Sequence, residues 1–166
     1  MIQEQIRIST GEVDTAISIM RECAEWLVAR GQKLWEPADL IRDNILSGIT
    51  PENIHVAYLN DEPMGTMILQ WHDPIFWEQI PPNVSGFVHK LAVRRKFSGQ
   101  GVAGVLLRHA ENECRKNKID WLRLDCDDDR PKLKQLYASN GFIHAGVKPF
   151  RHFTVSLFEK HLGTKL

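Results

Sequence analysis

Ser98-Gly99-Gln100-Gly101-Val102-Ala103-Gly104 separates a strand-like run at 86–93 from a segment of helical periodicity. In that segment Ala103, Leu106, Ala110 and Cys114 fall on one face, which predicts a helix to about Lys118. Glycine lets a chain turn tightly and leaves its N–H groups approachable, because no Cβ stands in the way. The helix that follows adds the unpaired N–H groups and partial positive charge of its first turn. Such a unit is a cradle for phosphate or a plain strand-to-helix turn, and the glycines alone leave both readings open.

Gly99, Gly101 and Gly104 also satisfy the G-x-G-x-x-G spacing, and Asp125 sits where a dinucleotide fold carries its ribose-binding carboxylate. In that fold the first glycine follows the strand almost directly, whereas Arg94-Arg95-Lys96-Phe97-Ser98 intervene here. Too little chain follows for a second mononucleotide half. A nicotinamide-dinucleotide enzyme is therefore the lesser alternative.

Residues 5–10 alternate like a strand. From Glu12 to Arg30, Val13, Ile17, Met20, Ala24 and Leu27 recur at helical spacing, with Gly31 as a stop. A short helix is expected from Pro37 to about Leu46. Two strands, 54–59 and 65–71, flank a hairpin turn at Asn60-Asp61-Glu62-Pro63. The stretch 73–82 reads as a loop. Beyond the glycine loop and its helix come a strand at 121–126, a helix at 131–139, and strands at 142–147 and 152–158. This order predicts an α/β fold in one domain, 1–166: a mixed, mostly antiparallel central sheet of about seven strands flanked by about four helices.

Lys+Arg and Asp+Glu each number 21, so no global field attracts nucleic acid or an anionic membrane surface, and any anion site is local. The first ten residues lack the apolar core of a secretory signal, and no apolar run reaches bilayer length. Cys23, Cys114 and Cys126 are odd in number and form no CxxC pair, which points to a reduced, cytoplasmic setting. The seven histidines show no H-x-x-x-H or Cys/His pairing, so no metal is expected.

Leu136-Tyr137-Ala138-Ser139-Asn140-Gly141-Phe142 supplies a second signature, a helix end with Gly141 as its left-handed cap. With the glycine loop it resembles the GNAT acetyltransferase family. Ser98, Gly99, Gln100, Gly101, Val102 and Ala103 occupy the family's Gln/Arg-x-x-Gly-x-Gly/Ala motif, with Ser98 departing from it, and Leu136-Tyr137-x-x-x-Gly141-Phe142 matches its second motif. His89-Lys90-Leu91-Ala92-Val93 and Leu122-Arg123-Leu124-Asp125-Cys126 look like a bacterial branch.

The resemblance implies acetyl-CoA as acetyl donor and a primary amine, on a small molecule or a peptide, as acceptor. It implies backbone hydrogen bonds from Leu91, Ala92 and Val93 to the pantetheine arm, as from an added strand. It places the pyrophosphate on Ser98, Gly99, Gln100, Gly101, Val102, Ala103 and Gly104. Arg130 stands where many relatives carry Asn, and an arginine there is expected to meet a CoA phosphate instead. Arg94, Arg95 and Lys96 either screen phosphate charge or form a solvated surface.

Acetyl transfer needs a neutral amine and a proton for the departing thiolate. An alkylammonium titrates near about 10.4, so a base or a desolvating site is useful. Tyr137 matches the family's acid; a phenol remains a donor at neutral pH, though a packed tyrosine is the alternative. His89 is the candidate base, sharing a strand face with Phe87, Leu91 and Val93 if the strand is regular. A histidine merely hydrogen-bonded in the sheet is the alternative, and Asp73, Glu78 or Asp125 could serve instead. A covalent acetyl-Cys126 route is possible in principle, but cysteine is more often a small buried hydrophobe. Trp35 and Trp77 are candidate acceptor-pocket walls, with the stretches 31–37 and 72–82, and Trp71 is read as core.

The same cradle without turnover would make an acyl-CoA-binding sensor, a non-enzymatic alternative. Sheet edges in small domains often pair, so a homodimer is expected.

Overall fold

A computed structural model describes residues 5–32 and 35–163. Among the described residues, seven strands are present: β1 (Ile6–Thr10), β2 (Ile54–Leu59), β3 (Glu62–Gln70), β4 (Gly86–Val93), β5 (Trp121–Asp127), β6 (Ile143–Phe150) and β7 (Phe153–His161). Four α-helices accompany them: α1 (Val13–Ala29), α2 (Arg42–Ile45), α3 (Val102–Lys116) and α4 (Pro131–Ser139). The strands follow the order β1-β2-β3-β4-β5-β7-β6. Pairs β1–β2, β2–β3, β5–β7 and β6–β7 are antiparallel, while β4 and β5 run parallel over Gly86–Val88. The α/β expectation with its mixed, mostly antiparallel sheet holds. The nicotinamide alternative does not, because a doubly wound dinucleotide fold needs a mostly parallel sheet.

Local signals account for most boundaries. Gly31 takes φ +72°, and the N–H groups of Gly31 and Gln32 close back onto Val28 and Leu27, which ends α1. The β2–β3 hairpin turns on Asn60 and Asp61, with Leu59 opposite Glu62 and Asn60 at φ +55°. The helix expected from Pro37 to about Leu46 is instead a 3₁₀ turn, Pro37–Asp39, followed by the single-turn α2. Leu40 separates the two pieces at φ −83°, ψ +69°, outside the helical region. The terminal strands run three residues beyond their expected ends, to Phe150 and His161.

The chain divides into two compact units, Met1–Leu69 with Lys90–Leu106, and Gln70–His89 with Leu107–Leu166; β4 and α3 each contribute to both. In the first unit, Val13, Ala16, Ile19, Met20 and Ala24 of α1 pack on Ile54, Val56, Tyr58, Ile68 and Ala92. Gly65 of β3 permits a close approach here: a Cβ would meet Val102 Cγ1 at 2.9 Å and the Ala92 carbonyl at 3.0 Å. In the second unit, Trp77, Phe87, Val155 and Leu157 form a buried cluster flanked by Phe76 and Ile80. Among the described residues, no helix is long and apolar enough to cross a membrane.

Candidate active site

The glycine loop lies in the first unit. A 3₁₀ turn, Arg95–Phe97, leads into Ser98, whose N–H donates to Arg95. Gly99 and Gly101 take φ +76° and +82°, the left-handed region open to glycine at little cost. An added Cβ would meet nothing within 4 Å at either position, so this side of the loop faces open space. The ladder of α3 begins with Val105 N–H donating to the Gly101 carbonyl at 3.1 Å. The amides of Val102, Ala103 and Gly104 therefore precede it and are the orphan donors of a helix start. Gln100 is less available, since its N–H donates to Phe97 and its side chain to Lys96, both at 3.3 Å. The backbone thus fits a pyrophosphate.

The basic run beside the loop is tied down within its own unit. Arg95 donates its N–H to Glu22 at 3.0 Å and lays its guanidinium 3.6 Å from the Trp26 ring centroid. Arg94 donates to Ser18 Oγ at 3.3 Å, and Lys96 pairs with Glu62 at 2.5 Å. These cations brace the turn that carries the loop.

In β4, Lys90 adopts φ +53°, a left-handed residue inside a strand. The strict alternation expected for Phe87, His89, Leu91 and Val93 is broken there: Phe87 and Ala92 are buried, while His89, Leu91 and Val93 are half-buried. The Val93 carbonyl accepts the Cys23 thiol at 3.1 Å. Lys90 Nζ stands 5.1 Å from the centroid of half-buried Trp35. Lys33 and Leu34, part of the expected pocket wall, lie outside the described residues.

The second unit gathers the titratable groups. His89 Nε2 lies 3.4 Å from Asp73 Oδ2, and its Nδ1 lies 3.8 Å from Asp125 Oδ1. Asp73 is fixed: its Oδ1 accepts the N–H groups of Ile75 and Phe76 at 2.9 and 3.0 Å. The loop that follows is held by a Phe76–Phe150 ring contact at 4.9 Å and by Lys148, which reaches Glu78 and the Ile75 carbonyl. Lys148 holds the Glu78 carboxyl below its usual range, so Glu78 is an ion-pair partner and a poor base. Trp77 does not form an acceptor wall, because it is only 3% exposed within the second unit's core, with Arg123 over its ring. Trp71, expected in a core, is half-buried.

Tyr137 sits in the last turn of α4. Gly141 at φ +87° allows Phe142 N–H to reach the Tyr137 carbonyl at 3.1 Å and Gly141 N–H that of Ala138, a Schellman closure. The Tyr137 ring meets Phe142 edge-on at 6.1 Å and Phe158 at 5.7 Å. Burial, then the neighbouring Cys126 and Asp125, push the phenol upward, with Arg130 opposing, so it stays protonated far above neutral pH. Arg130 caps α4, and its Nη1 is buried without a hydrogen-bond partner. Burial pushes the Cys126 thiol up to about 12, which makes it a poor nucleophile and argues against an acetyl-cysteine route.

Reasoning from sequence found His89, and it named Asp73 and Asp125 only as rival bases. The fold makes all three one cluster. The spacing from 73 to 125 gave no signal for that arrangement.

Comparison with known proteins gives the family. The profile of the Acetyltransferase (GNAT) family matches residues 20–142. The uncharacterized N-acetyltransferase YesJ of Bacillus subtilis is 27% identical over 159 residues, covering 91% of this chain and 86% of YesJ. The crystal structure of Ard1 from Thermoplasma volcanium superposes with a TM-score of 0.72 at 17% identity, covering 96% of this chain and 99% of Ard1. That of YncA, a putative acetyltransferase from Salmonella typhimurium with its cofactor acetyl-CoA, gives 0.69 at 13% identity, covering 97% and 96%. With its glycine loop, its Tyr137 signature and a family profile over most of its length, the chain belongs to the GNAT acetyltransferase family.

Proposed function

We propose that this acetyltransferase, one domain over residues 1–166, moves an acetyl group from acetyl-CoA to a primary amine by direct attack on the thioester. His89 takes a proton from the amine, and Tyr137 gives one to the leaving thiolate. The observation that carries this reading is the division of protonation roles in the second unit: an imidazole held between two carboxylates, and a phenol kept neutral by burial. The same arrangement favours an enzyme over a silent acyl-CoA sensor, which needs neither group.

In this mechanism the amides around Gly99, Gly101, Val102, Ala103 and Gly104 hold the pyrophosphate. Leu91, Ala92 and Val93 offer backbone groups to the pantetheine arm, as an added strand would. Ser98 and Gln100 shape the loop more than they bind. Asp73 orients His89, and an imidazolium formed by proton transfer is stabilised between Asp73 and Asp125. Arg130, whose charge acts on Tyr137 and Cys126, suits the anionic thiolate. Trp35, topped by Lys90, is the remaining acceptor wall. The acetyl-CoA bound to YncA supports the donor assignment. An odd number of cysteines with no CxxC pair supports a cytoplasmic location. Exposed Ile143 and Val147 on β6, last in the sheet order, support pairing with a second copy.

Calorimetric titration with acetyl-CoA, followed by an amine panel, tests the reading. Binding with turnover is expected, and binding with no turnover on any amine would return the chain to the sensor class. His89→Ala is expected to lower turnover most at the alkaline end of the pH–rate profile, where the wild-type ring is neutral. A profile identical to wild type would remove His89 as the base.

A further inference from the structure

The Asp73–His89–Asp125 cluster has a property that proton transfer does not require. Asp73 is 3% exposed, and its Oδ2 is buried with no hydrogen-bond partner, although its Oδ1 is fully engaged by two backbone amides. A buried carboxylate oxygen whose contact is a long ion pair, 3.4 Å to His89 Nε2, is costly. One donor atom from each of Asp73, His89 and Asp125 can be chosen so that all lie within 4.8 Å of one another.

We propose that Asp73, His89 and Asp125 bind a divalent transition-metal cation of the zinc type, and that an ion held there suppresses acetyl transfer. Tetrahedral zinc with bonds of about 2.0–2.2 Å spaces its ligand atoms about 3.3–3.6 Å apart. The Asp73 Oδ2–His89 Nε2 separation of 3.4 Å already meets this, while Asp125, whose Oδ1 stands 3.8 Å from the other ring nitrogen, must turn toward Nε2 to complete the set. Two carboxylates and a neutral imidazole carry two negative charges, which a divalent ion neutralises. The backbone N–H groups on Asp73 Oδ1 are the outer contacts that orient a ligating carboxylate. One nitrogen and two oxygens, with a fourth position for water, suit zinc. Calcium and magnesium call for six or more oxygens.

Suppression follows because the ion takes the imidazole lone pair that would accept the amine proton. This half rests on His89 as the base; the binding half rests on the three donors alone.

The test is calorimetric titration of the full, tag-free chain with Zn²⁺, with Co²⁺ visible absorption as a ligand-field readout. One ion per chain is expected. Asp73→Asn and His89→Gln should each weaken binding at least tenfold by about one lost ligand, and His109→Gln, outside the cluster, should not. Circular dichroism checks each fold, and Asp125→Asn takes the place of any variant that does not fold. Zinc binding equal in wild type and cluster variants, or none at all, overturns the site. In the acetylation assay, zinc should lower turnover at unchanged acetyl-CoA affinity, and a chelator should restore it. Zinc bound with full turnover overturns suppression. The metal-free turnover of His89→Gln then decides separately whether the base assignment survives.

Discussion

In the glycine loop, the groups offered to a ligand belong to the backbone of one short stretch, 98–104. In the Asp73–His89–Asp125 cluster every group is a side chain, drawn from a loop and two strands. The loop depends on conformation: φ +76° and +82° at two glycines, open space where a Cβ would be, and a helix whose first ladder donor, Val105, comes four residues after Gly101. The cluster depends on burial and charge, with a carboxylate pinned by amides and an imidazole between two acids. A backbone site is robust to the identity of its neighbours and intolerant of a Cβ at the wrong φ. A side-chain site tolerates backbone variation and fails when one atom is exchanged.

This contrast predicts that loop substitutions change affinity, while cluster and Tyr137 substitutions change the chemical step. The largest effect is expected for Tyr137→Phe, which should lower kcat by about 10²–10⁴ while sparing acetyl-CoA affinity. A parallel loss of affinity would show that Tyr137 belongs with the binding groups. Next comes Gly101→Asp, which adds a strained left-handed residue and a like charge beside a phosphate. A rise in acetyl-CoA Kd of about a hundredfold is expected, read by calorimetry. Unchanged affinity would break the pyrophosphate assignment.

A smaller effect sharpens the electrostatic side. Burial holds Cys126 and Cys114 at about 12, so at pH 8 only about one in ten thousand of each is thiolate. Iodoacetamide should spare both in the folded chain and label them after unfolding, as mass spectrometry would show. The smallest effect belongs to half-buried Asp128, held below its usual range by Ser156 and then Lys134. A lowered folded-state value means that its stabilisation is present above the ordinary carboxyl range and is lost as pH falls through the folded value. The Tm deficit of Asp128→Asn should therefore shrink on acidification, and a deficit constant with pH would exclude that coupling.

The same contrast explains what the sequence disclosed. Contiguous features were legible: β2, β4 and α4 lie where periodicity put them, and Gly31, Gly141 and the glycine loop announced themselves as punctuation. Features made by tertiary contact were not. Lys90 has no residue-type signature for φ +53°, so a regular strand was the natural expectation. Trp77 lies in a stretch that reads as a loop and a pocket wall, yet its ring fills a core beneath Arg123. Asp73 and Asp125 looked like rivals to His89 because spacing along the chain carries no information about which carboxylates flank one ring.

Gly65 was read from sequence only as the start of a strand. Its Cβ would meet Val102 Cγ1 at 2.9 Å and Leu106 Cδ1 at 3.2 Å, the first turns of the helix behind the glycine loop. In a saturation scan scored on cofactor binding, position 65 should therefore group with positions 99 and 101, outside the loop though it is. A variant library confined to 98–104 would miss it, and a lineage that replaced Gly65 would need a smaller residue at 102 to retain the same phenotype.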